Sequence, residues 1–344
     1  MASQERIPVT IITGFLGAGK TSLLNNLIRK HPEKKFAVIE NEFGETGIDG
    51  GLIATAPDAI FELNNGCICC SLGDDFLNTL ENLLGSSYEF NHLLVETTGI
   101  ADPSGIVDAF VSGSTIQERF KIDSVVGVVD AVNFEDLMDE QVEVRKQLAV
   151  ADLVLLNKSD CVHPDYLVRL TEMVQSINPM VQIYNTTFGS VSDFQVLDTN
   201  SFSGEVIQTS TLKFCQPDWT EGALPKQKSF IHQTPKSEHR HDITSVGFTF
   251  KGSFDVNKFG LWMQNFLYFN QDHVFRVKGI MSFDQTEDQF VFHGVRASFM
   301  FEVGKPWGNE ERFSKLVFIG KDLSAKELEA NLLQLLVKED EPAL

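Results

Sequence analysis

The segment Gly14–Thr21 reads Gly-Phe-Leu-Gly-Ala-Gly-Lys-Thr and matches the phosphate-loop pattern G-x-x-x-x-G-K-[ST]. An apolar run of strand composition, Ile7–Ile12, precedes it, and apolar residues at helical spacing follow it. Glycines let backbone N–H groups turn toward phosphate oxygens, and a helix N-terminus adds positive potential. We therefore predict that the chain binds a nucleoside triphosphate whose β- and γ-phosphates are neutralised by Lys20. The predicted nucleotide contacts in this segment are Gly14, Phe15, Leu16, Gly17, Ala18, Gly19, Lys20, Thr21 and Ser22.

The base is indicated by Asn157-Lys158-Ser159-Asp160, an N-K-x-D sequence that directly follows an apolar strand. An Asp160 carboxylate can accept hydrogen bonds from N1–H and the exocyclic amine of guanine. Adenine offers neither donor, so the carboxylate would be left unpaired, and we expect discrimination of ~10³ or more. The sequence therefore predicts GTP as the nucleotide, with Asn157, Lys158 and Asp160 in contact with it.

A third segment, Glu96-Thr97-Thr98-Gly99, ends another apolar strand. A carboxylate in that position lies near the Mg²⁺ shell of a phosphate-loop protein, and a glycine amide three residues later can reach the γ-phosphate. We predict that Thr21 and Glu96 hold Mg²⁺, and that Lys20, Thr21, Glu96 and Gly99 serve GTP hydrolysis. Turnover should be slow, since no arginine finger is evident in the chain.

Three cysteines are packed into Gly66-Cys67-Ile68-Cys69-Cys70, ahead of a helix predicted over 72–84. A helix N-terminus favours thiolate over thiol, and thiolates select soft or borderline cations, of which zinc is the commonest. A redox-active pair and a purely structural role are the alternatives. Asp74 and Asp75 argue against the low thiol pKa values that redox chemistry needs. We favour metal binding.

Cysteines this close in sequence leave little room for a closed tetrahedral site, so other ligands should complete it. The segment Glu40–Glu45 follows the second predicted strand and supplies carboxylates where a γ-phosphate-sensing loop would lie. A site shared between such a loop and the cysteines would change its geometry on hydrolysis. Mixed sulfur and oxygen ligation would also be weaker and more readily released, which suits delivery.

The alternation of short apolar strands and helical segments predicts an α/β fold for residues 1–205, a P-loop GTPase domain with a mostly parallel sheet flanked by helices. The predicted strands are Val9–Thr13, Phe36–Glu40, Leu93–Glu96, Ser124–Asp130, Leu153–Asn157 and Gln182–Asn185. Residues 206–242 lack sustained periodicity and are predicted to form a connector. His239 and His241 lie there in an H-x-H pattern that can bind metal loosely, although histidines in a polar linker are usually only solvated.

A smaller α+β domain is predicted for residues 243–344. Its predicted strands are Ser245–Phe250, Val274–Phe283, Gln289–Phe301 and Lys315–Ile319, and its last helix is predicted over Ser324–Val337 with Ser324 as N-cap. A helical stripe of Phe259, Trp262, Phe266 and Phe269 is assigned to core packing.

The chain has 344 residues and a formal net charge of −20. Such a surface repels phosphate backbones and anionic lipids, so we expect neither nucleic-acid nor membrane binding. The N-terminus lacks the apolar core of a signal peptide, and the clustered cysteines do not resemble a secreted disulfide framework. A reducing cytoplasm is the expected location.

These motifs resemble the CobW-like GTPases, a metallochaperone family of P-loop proteins distantly akin to the nickel-insertion GTPases of urease and hydrogenase. The segments that carry the resemblance are Gly14–Thr21, Glu40–Glu45, Gly66–Cys70, Glu96–Gly99, Asn157–Asp160 and, near the C-terminus, Gly304–Gly308. The resemblance implies a GTPase domain followed by a CobW C-terminal domain. It also implies metal ligands at Glu40, Glu45 and Cys69, with Cys67 and Cys70 nearby, and in some relatives a nucleotide-dependent homodimer.

We therefore expect a GTP hydrolase that carries Zn²⁺, or a similar ion such as Co²⁺ or Ni²⁺, to a client metalloprotein whose identity the sequence does not reveal. Two alternatives stay open at this point. One is a regulatory GTPase with a structural zinc, and the other is a P-loop kinase that uses a non-water acceptor.

Overall fold

The computed structural model describes residues 6–40, 60–62, 74–112, 114–202, 229–233, 243–284 and 286–337. Internal contacts divide the chain into two compact units. The first unit comprises residues up to Gln175 together with Val181–Ser201, and the second comprises most of the remainder.

The first unit is built around a seven-stranded parallel sheet with the order β3-β2-β4-β1-β5-β6-β7. Its strands are β1 Ile7–Thr13, β2 Phe36–Glu40, β3 Ile60–Glu62, β4 His92–Glu96, β5 Phe120–Asp130, β6 Leu153–Asn157 and β7 Gln182–Asn185. The central strands are buried almost throughout, which explains their continuous apolar runs.

In the described part of this unit, helices lie between five of the six successive pairs of strands, as crossover connections between parallel strands require. They are α1 Lys20–Lys30, α2 Asp74–Gly85, α3 Ser104–Ser112, α4 Ser114–Arg119, α5 Phe134–Glu140, α6 Val142–Val150 and α7 Pro164–Ile177. Leu23, Leu24 and Leu27 of α1 are fully buried against the sheet. This packing fixes the helix that begins at the phosphate loop.

The predicted parallel α/β fold of this unit is confirmed. All six strands predicted for it are present, and three of them, β2, β6 and β7, have the predicted bounds. The edge strand β3 was not predicted because its three residues are too few to give a periodic signal. The carboxyl ends of β1, β2, β4 and β6 meet at one edge of the sheet, where the predicted site residues follow them.

The second unit contains a six-stranded sheet with the order β12-β11-β10-β13-β9-β8, antiparallel in every pair. Its strands are β8 Ser229–Gln233, β9 Ile243–Lys251, β10 Val274–Ser282, β11 Asp288–Val295, β12 Ser298–Pro306 and β13 Phe313–Lys321, and its helices are α8 Val256–Phe269 and α9 Ala325–Leu333. Strand β8 lies within the segment predicted as a connector.

Phenylalanine side chains form the core of the second unit. Phe248, Phe250, Phe254 and Phe259 are fully buried, and their rings meet mostly edge to face. Such contacts add to the energy of burial itself. The assignment of the stripe to packing is supported for Phe259, which is buried, and for Trp262 and Phe266, which pack half-buried against the same core. Phe269 at the end of α8 is 78% exposed.

Two predictions for the second unit were wrong in detail. The stretch Gln289–Phe301 is a hairpin of β11 and β12, because Arg296 takes a left-handed conformation (φ 50°) and turns the chain. Helix α9 ends at Leu333, short of the predicted Val337. Its predicted start is correct, since the Ser324 side chain accepts the Glu327 N–H. No helix in the described ranges is long and apolar enough to cross a membrane.

Candidate functional site

The phosphate loop joins the end of β1 to the start of α1. Gly19 has φ 103°, and a Cβ on it would lie 2.3 Å from the Asn157 side-chain nitrogen. Gly14 has φ 146°, and a Cβ there would lie 2.2 Å from the Val128 carbonyl oxygen. These two glycines are needed both for the backbone conformation and for the close approach of the Val128 backbone and the Asn157 side chain. The loop therefore leads directly into the N-terminus of α1, the end of a helix at which backbone N–H groups can bind an anion.

Lys20 and Thr21 occupy the first two positions of α1. Lys20 is 8% exposed, and its Nζ donates to the Phe15 carbonyl oxygen across the loop at 3.4 Å. A lysine bridging the loop in this way is held over the space that the loop encloses. This is the geometry expected for an ammonium group that neutralises the terminal phosphates.

Thr21 lies beside Glu96, which ends β4. The Thr21 hydroxyl donates to Glu96 Oε1 at 3.1 Å, and β4 pairs with β1 up to Glu96. One hydroxyl and one carboxylate at the mouth of the loop are the oxygen ligands that Mg²⁺ takes when it is bound mainly through substrate phosphates. The residues present therefore fit the predicted magnesium site.

Gly99 lies against the phosphate loop at Leu16. A Cβ on this residue would lie 2.5 Å from the Leu16 backbone nitrogen. The Gly99 carbonyl accepts a hydrogen bond from Gln147 Nε2 at 3.1 Å, and the same amide donates to the Ala101 carbonyl at 3.1 Å. Gln147, on α6, was not predicted to belong to the site. Its buried side chain ties the Gly99 segment to that helix.

The Asn157 carboxamide connects the guanine motif to the phosphate loop. Its Nδ2 donates to the Ala18 carbonyl at 2.8 Å, and its Oδ1 accepts the Gly189 N–H at 3.0 Å. Asn157 itself is buried at the end of β6. The two motifs, about 140 residues apart in sequence, are thus joined at one edge of the sheet.

Lys158 and Asp160 follow on a left-handed residue (Lys158, φ 59°) and a short 3-10 helix. Lys158 Nζ donates to Asp130 Oδ2 at 2.7 Å. Partial burial opposes ionisation of Asp130, but hydrogen bonds from Lys158 and Asn133 outweigh it, so the pKa of this carboxyl lies below its usual value. The lysine stem is therefore held in place by an ionised partner at the end of β5. Asp160 is exposed, as a group that reads a base edge must be before the base arrives.

A loop after β7 completes the site and was missed by the sequence analysis. Ser159 donates to the Thr186 carbonyl at 2.9 Å, and Asn26 of α1 donates to the Phe188 carbonyl at 2.8 Å. Gly189 has φ 66°, and a Cβ there would be 2.7 Å from the Leu23 backbone nitrogen. The Phe188 side chain is 79% exposed. The sequence signal that could have identified this loop is its position at the carboxyl end of a parallel strand, where ligands of α/β proteins bind.

Of the predicted zinc ligands, the structure describes Glu40. It is 6% exposed and ends β2, in register with Glu96 on β4 and with Glu62 on β3. Glu45, Cys67, Cys69 and Cys70 lie outside the described residues, as do His239 and His241. Among the described residues, no three His, Cys, Asp or Glu side chains form a metal-binding group, and Cys161 is a free, exposed thiol.

Comparison with known families gives two matches. Residues 8–185 match the CobW/HypB/UreG nucleotide-binding domain. Residues 243–336 match the C-terminal domain of the cobalamin synthesis protein cobW. The second match falls on the antiparallel unit, and the first falls on the parallel one.

Among curated proteins, the chain is 34% identical over 328 residues to the zinc chaperone YjiA of Escherichia coli, which covers 94% of this chain and 97% of that protein. It is 27% identical to the zinc-regulated GTPase metalloprotein activator 1 of Schizosaccharomyces pombe, with 93% and 83% covered. Among solved structures, the Zn(II)-bound YjiA GTPase from E. coli matches with a TM-score of 0.69 and 28% identity over 96% of this chain and 99% of that chain.

Proposed function

Because this chain belongs to the CobW/HypB/UreG family and carries that family's nucleotide-binding domain, we propose that it hydrolyses GTP and uses the cycle to carry zinc to a client metalloprotein. One observation supports the nucleotide part most directly. Three motifs far apart in sequence meet at one sheet edge, joined by the Thr21–Glu96 and Asn157–Ala18 hydrogen bonds.

The residues at this edge have separate roles in GTP binding and hydrolysis. The phosphate loop and Lys20 hold the β- and γ-phosphates, and Asp160 accepts from the guanine edge. When bound, Mg²⁺ would be held by Thr21 and Glu96 and would neutralise charge on the phosphate oxygens. The backbone of Gly99 lies against the loop, which supports a role for it in sensing the γ-phosphate. Gln147 keeps that backbone in position.

The cargo assignment draws on the relatives, which are named zinc chaperones and a zinc-regulated GTPase metalloprotein activator. On this chain the proposed zinc ligands are Glu40, Glu45 and Cys69, with Cys67 and Cys70 nearby. Glu40 supports the link to the nucleotide, because it is the register neighbour of Glu96. A γ-phosphate that moves the Glu96–Gly99 segment would therefore act on the adjacent strand end.

Thiolate ligands need a reducing compartment, so we assign the protein to the cytoplasm. The client is a metalloprotein whose own site competes for zinc with the mixed carboxylate and thiolate site of this chain. A homodimer that forms with GTP would be one way to hold zinc until hydrolysis.

Equilibrium dialysis of zinc against protein loaded with a non-hydrolysable GTP analogue or with GDP tests the proposal. We expect the two zinc affinities to differ by at least about tenfold. In Cys69→Ser the difference should vanish, while Cys161→Ser, a change at an exposed cysteine beside the guanine motif, should keep it.

Two results would contradict the carrier function. Equal zinc affinities in both nucleotide states would leave a regulatory GTPase with a structural zinc. Transfer of the γ-phosphoryl group to an acceptor other than water would indicate a kinase. Malachite-green measurement of phosphate release, with and without zinc, separates that second case from hydrolysis.

A further inference from the structure

A cavity of about 560 Å³ opens at the edge of the first sheet opposite the phosphate loop. Its lining includes Arg6 and Ile7 at the start of β1, Asn91 just before β4, and Lys121 at the start of β5. Neighbouring parallel strands begin at the same edge, so residues distant in sequence meet there. Among the described residues, none of those predicted for GTP or zinc lines this cavity.

The charge of this cavity is opposite to that of the protein. Four cationic side chains line it, against two carboxylates, in a chain whose formal net charge is −20. Lys34 pairs with the lining residue Asp198 at 2.7 Å, and Lys35 pairs with the lining residue Glu89 at 2.8 Å. The carboxylates are thereby neutralised by two lysines. The lining cations are Arg6, Lys34, Arg119 and Lys121.

Within the described part of the chain, neither Arg119 nor Lys121 has an ion-pair partner, which leaves net positive charge in the cavity. Arg119 ends α4, where a cation also offsets the helix dipole. That role accounts for one cation only. Lys121 lies on β5 and is half-buried, so its charge is held at the wall of the cavity without a compensating carboxylate.

One wall of the cavity is aromatic and apolar. The Phe90 ring stacks on Phe120 with centroids 6.4 Å apart, and the Tyr88 hydroxyl donates to the Phe36 carbonyl at 3.0 Å. Both rings are thus fixed before any ligand arrives. Leu83 and Leu84 of α2 continue this wall. A preformed apolar surface beside cations suits a ligand that combines a planar ring with negative charge.

We propose that this cavity binds a small organic anion, a phosphorylated molecule of nucleotide size, at a site separate from the GTP site. The volume falls within the roughly 300–1,000 Å³ typical of small-molecule pockets. The planar guanidinium group of Arg119 suits a phosphate group, and Lys121 adds a second positive charge. The rings of Tyr88 and Phe90 take the flat part of the ligand.

Calorimetric titration of the full-length protein, saturated with GDP and Mg²⁺, tests this site with ADP as the probe. Adenine is disfavoured at the first site, because Asp160 would be left without a donor. We expect one equivalent of ADP to bind, and Lys121→Glu and Arg119→Glu each to weaken it at least about tenfold. Lys326→Glu, a reversal of an exposed lysine on α9, should change ADP affinity less than about twofold.

GDP affinity should be equal in all these variants, which separates this site from the nucleotide site and from the proposed function. The proposal is overturned if ADP does not bind or if Lys326→Glu weakens it as much as the cavity variants. It is also overturned if pyrophosphate binds as tightly as ADP, since the aromatic wall would then be unused. A polyglutamate peptide that binds and displaces ADP would instead assign the cavity to an acidic polypeptide.

Discussion

Glu40 and Glu96 are paired in register at the carboxyl ends of the neighbouring strands β2 and β4. Register partners on adjacent strands are about 5 Å apart and present their side chains on the same face. Glu96 accepts the Thr21 hydroxyl, whereas Glu40 is the first of the predicted zinc ligands. Glu96 of the nucleotide site and Glu40 of the proposed metal site are therefore one strand spacing apart.

Replacement Glu40→Gln should uncouple zinc from the nucleotide. The carboxamide keeps the shape of the side chain but is a weaker ligand for a divalent ion. We expect the zinc affinities of the GTP-analogue and GDP forms to converge to within about twofold, since the strand neighbour of Glu96 no longer holds the metal. Competition with a chromophoric chelator measures both affinities.

The matched control for this change is Glu172→Gln, the same substitution at an exposed position of α7. It should keep the full difference between nucleotide states. Nucleotide-dependent zinc binding that survives in Glu40→Gln would show that coupling does not pass through β2.

Base specificity should change with Asp160→Asn. The carboxamide can no longer accept both donors of the guanine edge, but its N–H can donate to a carbonyl oxygen at C2. We therefore expect GTP affinity to fall about 100-fold or more, and xanthosine triphosphate to become the preferred nucleotide. Fluorescence competition against a labelled nucleotide measures both. Asp165→Asn, an exposed change at the start of α7, should leave the preference for guanine unaltered.

Addition of one methyl group at Gly99 should impair triphosphate binding and hydrolysis. In Gly99→Ala the new Cβ would meet the Leu16 backbone at 2.5 Å, so either the phosphate loop or the Glu96–Gly99 segment must move. We expect hydrolysis to fall about 100-fold with a smaller loss of GDP affinity, since GDP lacks the γ-phosphate. Gly260→Ala on α8, where nothing lies within 4 Å, should leave both unchanged. Equal losses for GDP and GTP would argue against a γ-phosphate-sensing role.

The sequence was sufficient to predict the elements that are continuous in the chain. Strands such as Phe36–Glu40 and Leu153–Asn157 are runs of buried apolar residues that end in a polar one, and their predicted bounds are correct. The phosphate loop and the N-K-x-D segment were found for the same reason, since each is a local pattern with a fixed spacing.

What the sequence did not reveal depends on contacts between distant segments. Gln147 lies in α6 as one polar residue among several, and only the fold brings its amide to the Gly99 carbonyl. The need for a glycine at position 189 is likewise evident only from the fold, which brings the α1 backbone against it. The hairpin at Arg296 was missed because a non-glycine residue adopts the left-handed turn conformation, for which composition gives little warning.

Asp123 and His92 are two buried titratable groups that share the Thr10 hydroxyl as a partner. Burial raises the pKa of Asp123 to about 6, although the Asn200 N–H partly opposes it. Burial lowers the pKa of His92 to about 4. The fold therefore favours the neutral form of both groups. Their contributions to stability change with pH in opposite directions.

Stability that arises from the raised pKa of Asp123 is present below its ordinary value of 3.8 and is lost as the pH rises through about 6. Stability that arises from the lowered pKa of His92 is present above 6.5 and is lost as the pH falls toward 4. Between about pH 4 and pH 6, stability falls with pH because of Asp123 and rises with pH because of His92. The two changes oppose each other, so this pair should give the native protein only a weak pH dependence of stability.

Replacement Asp123→Asn removes one of the two slopes. The free energy of unfolding of the variant minus that of the native protein should increase by about 1 kcal/mol from pH 5 to pH 7, because the variant lacks the difference between a folded pKa of about 6 and the ordinary value of 3.8. Urea unfolding at about pH 5, 6 and 7 gives this slope, whatever fixed cost the new amide adds. Asp193→Asn, an exposed change, should give a flat difference over the same range. A flat difference for Asp123→Asn as well would mean that the carboxyl is ionised in the folded protein at all these pH values.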